Sequence, residues 1–107
     1  MIKVLHIEDD ADIREISQMA LELSGGFDIV QFASGEEALK HAGTFAPDVI
    51  LLDVMMPELP GPQTLERMRQ LPSFANVPAI FMTAHTQQPD IDALLRTSAV
   101  EVISKPF

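Results

Sequence analysis

The chain has 107 residues, enough for one domain with one modest core, and the whole span 1–107 reads as that single domain. Its formal charge of −9 speaks against a surface built to hold nucleic-acid phosphates or anionic lipid, and the absence of cysteine excludes a disulfide frame or a thiolate metal site. No apolar stretch approaches the ~20 residues of a membrane span, and MIKVLHI is too short and too soon followed by acids to be a secretory signal, so a reducing cytoplasmic setting is expected.

The first apolar run, Ile2–Ile7, predicts a strand and ends in Glu8-Asp9-Asp10. Ile13, Ile16, Ala20 and Leu23 then recur at helical spacing, and Gly25-Gly26 is placed to end that helix. Phe27–Phe32 predicts a second strand. Ser34 and Glu37 form a capping box in front of a second helix carrying Ala38, Leu39, Ala42 and Phe45. Val49–Leu52 is a continuous apolar run that stops on Asp53. A loop with Met55, Met56, Glu58 and two prolines follows, and Pro62 suits the first turn of a third helix with Leu65, Met68 and Leu71. Ala79–Met82 leads to Thr83, a shorter helical pattern runs through Ile91, Leu94 and Leu95, and Val100–Ile103 leads to Lys105. Continuous apolar strands alternating with amphipathic helices predict an α/β fold with a parallel sheet and right-handed crossovers.

In such a sheet ligands bind at the carboxyl ends of the strands. Glu8, Asp9, Asp10, Asp53, Thr83 and Lys105 all fall there. At ~4 Å and an effective dielectric near 20, each carboxylate pair repels by roughly 4 kcal/mol. A divalent cation resolves that conflict, and an all-oxygen ligand set favours Mg²⁺, which keeps several waters and so leaves positions for phosphate oxygens. Asp53 can then act as a nucleophile toward phosphorus, forming an acyl phosphate. The cation, Lys105 and Thr83 would each take one oxygen of the transferred group.

The stretches VLHIEDD, DVILLDVMMPELPG, IFMTA and ISKPF, in this order, resemble the receiver domain of bacterial two-component response regulators. The resemblance covers essentially the whole chain. It implies a doubly wound, flavodoxin-like fold with five parallel strands in the order 2-1-3-4-5. It further implies that Asp53 accepts a phosphoryl group from a sensor histidine kinase or a phosphotransfer protein. Mg²⁺ would be held by Asp9, Glu8, Asp53 and the Met55 carbonyl, Thr83 would be the switch hydroxyl and Lys105 the phosphate-pairing cation. Met55 and His85 would tune the lifetime of the phosphoryl group. The fourth-helix and fifth-strand face would be the surface for a partner or a second copy of the chain.

Three departures from the family pattern carry expectations of their own. Val102 stands where an aromatic switch residue is usual, Ser98-Ala99 stands for the usual Gly-Ala, and the family's closing helix does not follow Phe107. Without that helix an apolar strip beside the first helix is expected to be exposed.

Other residues have plainer readings. Asp10 and Asp12 suit the start of a helix, where acids complement the dipole. His6 is expected in the core and His41 on a helix surface. A haloacid-dehalogenase-type phosphatase would need a second acid two residues after the nucleophile, where Met55 stands, so turnover catalysis is not expected. A phosphorylation-independent interaction or dimerisation module with the same fold is the rival reading.

Overall fold

A computed structural model describes residues 2–41, 46–54, 56, 59–83 and 101–104, with Thr83 and residues 101–104 described through their backbone. The elements are β1 (Ile2–Ile7), α1 (Ala11–Ser24), β2 (Phe27–Phe32), α2 (Gly35–Lys40), β3 (Val49–Asp53), α3 (Gly61–Arg69), a 3-10 turn (Pro72–Phe74), β4 (Ala79–Thr83) and β5 (Glu101–Ser104). The five strands form one parallel sheet in the order β2-β1-β3-β4-β5, as expected. Ala42, Phe45 and the helical pattern through Ile91, Leu94 and Leu95 lie outside the described residues.

Alternation along the strands divides the apolar side chains between two faces. Leu5, Ile7, Ile50, Leu52 and Phe81 join Ala38 of α2 and Leu65 and Met68 of α3 in the larger core. Val4, Leu51 and Met82 form a smaller core on the other face, where Leu21 of α1 packs. Helices therefore cover both faces, which is why the central strands read as unbroken apolar runs.

The predicted signals at the helix ends are formed. Asp10 caps α1, its side chain accepting from the amides of Asp12 at 2.9 Å and Ile13 at 3.3 Å. Asp10→Ala is therefore expected to cost about 1 kcal/mol of stability, read as a lower urea midpoint. Gly25 and Gly26 end α1 with φ of 74° and 80°, a region that side chains disfavour. Ser34 accepts from the Glu37 amide at 3.1 Å, and Pro62 lies in the first turn of α3.

The inward face of α1 differs from the apolar stripe read in the sequence. Ser17 is buried, with Ile13, Ala20 and Leu21 partly buried, whereas Ile16 and Leu23 point outward. A small serine lets the helix backbone approach the sheet, and this turns the larger side chains to the flank. Ile16, Met19 and Leu23 are 49, 55 and 86% exposed and form an apolar flank on α1 itself, which is distinct from the strip expected on the sheet face beside that helix.

Candidate functional site

Two strands deliver the acids. β1 ends at Ile7, and the amide of Glu8 continues its ladder by donating to the Phe32 carbonyl of β2 at 3.0 Å. β3 ends at Asp53, paired in register with Met82 of β4, and the Val54 amide donates to the Met82 carbonyl at 3.2 Å. Parallel pairing puts both strand ends on the same edge of the sheet.

Strand alternation then sets the environment of each acid. Glu8 is fully buried and Asp53 is 2% exposed, while Asp9 faces solvent. One carboxylate oxygen from each of the three lies within 4.8 Å of the others. Two buried carboxylates and one exposed one at this spacing, with oxygen as the only donor type, match what a hard divalent cation takes. Glu8 and Asp53 are anchored by the protein around them, and Asp9 is open to solvent.

The loop after Asp53 is held from behind. The Gly61 amide donates to the Val54 carbonyl at 3.0 Å. Gly61 also lies so close to the Asp53 carbonyl that a side chain at position 61 would meet the backbone of Asp53 and Val54. Thr64 of α3 is buried and donates to the carbonyls of Leu59 and Pro60, tying the end of the loop to the helix.

Of the sequence-predicted site residues, the structure brings Glu8, Asp9 and Asp53 together. Thr83 ends β4, its backbone opposite Ser104 of β5. Met55, His85 and Lys105 lie outside the described residues, and Val102 is described through its backbone in β5. Asp10 serves the helix cap. His6 is fully buried in β1, with Nδ1 3.0 Å from Gln31 Nε2. His41 is exposed at the end of α2 and stacks on Phe32, ring centroids 5.5 Å apart.

Arg14 was not singled out in the sequence. Its Nη1 donates to the carbonyls of Glu8 at 2.7 Å and Asp9 at 3.2 Å. A signal was available: a cation in the first turns of a helix opposes the dipole, so another interaction had to hold it there.

The chain is similar to known proteins in both sequence and overall fold. Residues 4–107 match the sequence model of the response regulator receiver domain. The chain is 36% identical over 108 residues to the probable C4-dicarboxylate response regulator DctR of Halalkalibacterium halodurans, covering 100% of this chain and 46% of that protein. It is 37% identical over 105 residues to the alkaline phosphatase synthesis transcriptional regulatory protein PhoP of Bacillus subtilis, covering 98% of this chain and 42% of that protein. The chain thus spans less than half the length of these two relatives. Among solved structures, chemotaxis protein CheY4 of Vibrio cholerae superposes with a TM-score of 0.91 at 29% identity, covering 100% of this chain and 88% of that one. The receiver domain of a sensor histidine kinase from Pseudomonas aeruginosa PAO1, solved with a magnesium ion coordinated in its active-site cleft, gives 0.87 at 27% identity, covering 99% and 86%.

Proposed function

The chain belongs to the response regulator receiver family, and from that premise we propose that it is a phosphorylation-controlled switch whose acceptor is Asp53. The observation that carries this reading is the buried Asp53 carboxylate at the end of β3, within 4.8 Å of Glu8 and Asp9. Phosphoryl transfer asks the protein for positioning and charge stabilisation more than for covalent chemistry, and a nucleophile at the end of a central strand is positioned by the whole sheet.

Glu8, Asp9 and Asp53, joined by the Met55 carbonyl, would hold Mg²⁺. When bound there, the ion offsets the carboxylate charges and the charge on the phosphoryl oxygens. A carboxylate oxygen of Asp53 forms a bond to phosphorus as the bond from phosphorus to the donor atom breaks, and the donor keeps the electron pair. The donor is a phosphohistidine of a sensor kinase or phosphotransfer protein. Lys105 and Thr83 take phosphoryl oxygens, and Met55 and His85 tune hydrolysis, roles that rest on their places in the family pattern. The acyl phosphate then shifts an equilibrium between two surfaces, with the region after α3 through β5 meeting an output domain, a partner or a second copy. The chain works in the cytoplasm, accepts the phosphoryl group autocatalytically and loses it slowly by self-dephosphorylation, as a signalling domain rather than a turnover enzyme. The described helices include none long and apolar enough to cross a membrane.

The test is intact mass after incubation with acetyl phosphate. One added phosphoryl group is expected with Mg²⁺ present and none with EDTA. A folded chain that takes no phosphoryl group in Mg²⁺ would overturn the reading in favour of the phosphorylation-independent module.

A further inference from the structure

A chain of hydrogen bonds runs from β2 to the acidic loop by way of α1. Gln31 lies opposite His6 in the β1–β2 register. Its Nε2 makes two contacts, with His6 Nδ1 at 3.0 Å and with the Arg14 carbonyl at 2.7 Å. An amide nitrogen only donates, so Nδ1 of His6 is the acceptor, and the orientation of the Gln31 amide follows from its two partners. The backbone of Arg14 is thereby tied to the sheet. Its side chain then reaches back across the start of the helix, and one guanidinium nitrogen joins the carbonyls of Glu8 and Asp9.

We propose that Arg14 is a positioning residue for the acidic centre, with Gln31 and His6 as its support. The inference rests on the reading of Glu8, Asp9 and Asp53 as an Mg²⁺ site. Glu8 and Asp9 are consecutive, yet one must point into the protein and the next toward solvent while both keep an oxygen near Asp53. That arrangement depends on the peptide orientations between β1 and α1. Two charge-assisted bonds from one donor to adjacent carbonyls restrict those orientations. Groups that orient ligands in this way contribute to metal affinity without touching the metal.

Charge and position predict opposite results at this residue. Arg14 is a cation near three carboxylates, so if it acted only through its charge, removing it would strengthen Mg²⁺ binding. If it acts by position, removing it weakens binding. Because a single nitrogen makes both bonds, the lysine ammonium can replace most of its function.

The experiment is calorimetric titration of the unphosphorylated 107-residue chain with Mg²⁺. Parent, Arg14→Ala, Arg14→Lys and Gln31→Leu are compared, each well below its thermal midpoint measured in EDTA. Arg14→Ala is expected to raise the Kd about 10-fold. Arg14→Lys should stay within about threefold of the parent, and Gln31→Leu should show a smaller loss in the same direction as Arg14→Ala. A parental or tighter Kd in Arg14→Ala overturns the proposal. Should that variant not fold, a parental Kd in Gln31→Leu overturns it instead. A folded parent that binds no Mg²⁺ would refute the metal site itself, and the proposal with it.

Discussion

Asp53→Asn is expected to abolish phosphoryl uptake and, in EDTA, to make the chain more stable than the parent. The first effect follows from chemistry: an amide oxygen in this position is a poor nucleophile and cannot yield an acyl phosphate. The second follows from crowding. Asp53 shares a 4.8 Å neighbourhood with Glu8 and Asp9, and two of the three are buried. At that distance and an effective dielectric near 20, each like-charge pair opposes folding by roughly 3 kcal/mol. Asparagine keeps the shape and removes one charge from two of the three pairs. The loss of the carboxylate's own favourable interactions offsets part of the gain, leaving a net stabilisation of about 1–2 kcal/mol in urea titrations without metal. Mg²⁺ should reverse the ranking, because an ion that binds only the folded state stabilises the parent by mass action and the variant much less. A phosphoryl adduct on Asp53→Asn would place the acceptor elsewhere. A variant less stable than the parent in EDTA would mean that the three acids are not in net conflict.

Gly61→Ala is expected to be among the most damaging single-methyl changes in this chain. The added Cβ would meet the carbonyl oxygen of Asp53 and the backbone of Val54, and no side chain there can turn aside. Either α3 or the end of β3 must move, at a cost of about 3 kcal/mol. Any such movement displaces Asp53, the proposed acceptor, so slower phosphoryl uptake should accompany the lower urea midpoint. Gly35 offers an internal control. A Cβ there would meet the Thr64 side chain rather than a backbone. Gly35→Ala should therefore be partly rescued by Thr64→Ala, although that change also gives up the Thr64 bonds to Leu59 and Pro60. No side-chain truncation should rescue Gly61→Ala, and a full rescue would show that the loop after β3 is more adaptable than its backbone packing implies.

The strands and their order were legible because a parallel sheet covered on both faces writes itself as nearly continuous apolar runs, and β1, β3 and β4 do so apart from Lys3 and His6 in β1 and the polar ends Asp53 and Thr83. The acidic centre was legible for a related reason. An apolar run that stops on a carboxylate, as Val49–Leu52 stops on Asp53, marks a strand end, and strand ends in this topology converge. The inward face of α1 was not legible. Periodicity counts large apolar residues, whereas the helix lies against the sheet through Ser17, a small polar residue that hydropathy assigns to solvent. The link from His6 through Gln31 to Arg14 escaped for a similar reason. Each is polar in an element that otherwise reads by its apolar residues, and their partners are distant in sequence, 25 positions apart for Gln31 and His6 and 17 for Gln31 and Arg14.

The strand order also governs how the centre is assembled during synthesis. β1 is made first but lies second in the sheet, between β2 and β3. Its pairing with β2 is available as soon as α1 has folded back, whereas its other edge waits for Val49–Asp53 to leave the ribosome. A nascent chain therefore carries Glu8 and Asp9 for some seconds, at about 5–20 residues per second, before Asp53 exists beside them. Asp53 thus joins Glu8 and Asp9 after β1 and β2 have been made and before β4 and β5 complete the sheet. The charge conflict is built in two steps, Glu8 with Asp9 first and Asp53 with both of them once β3 has emerged.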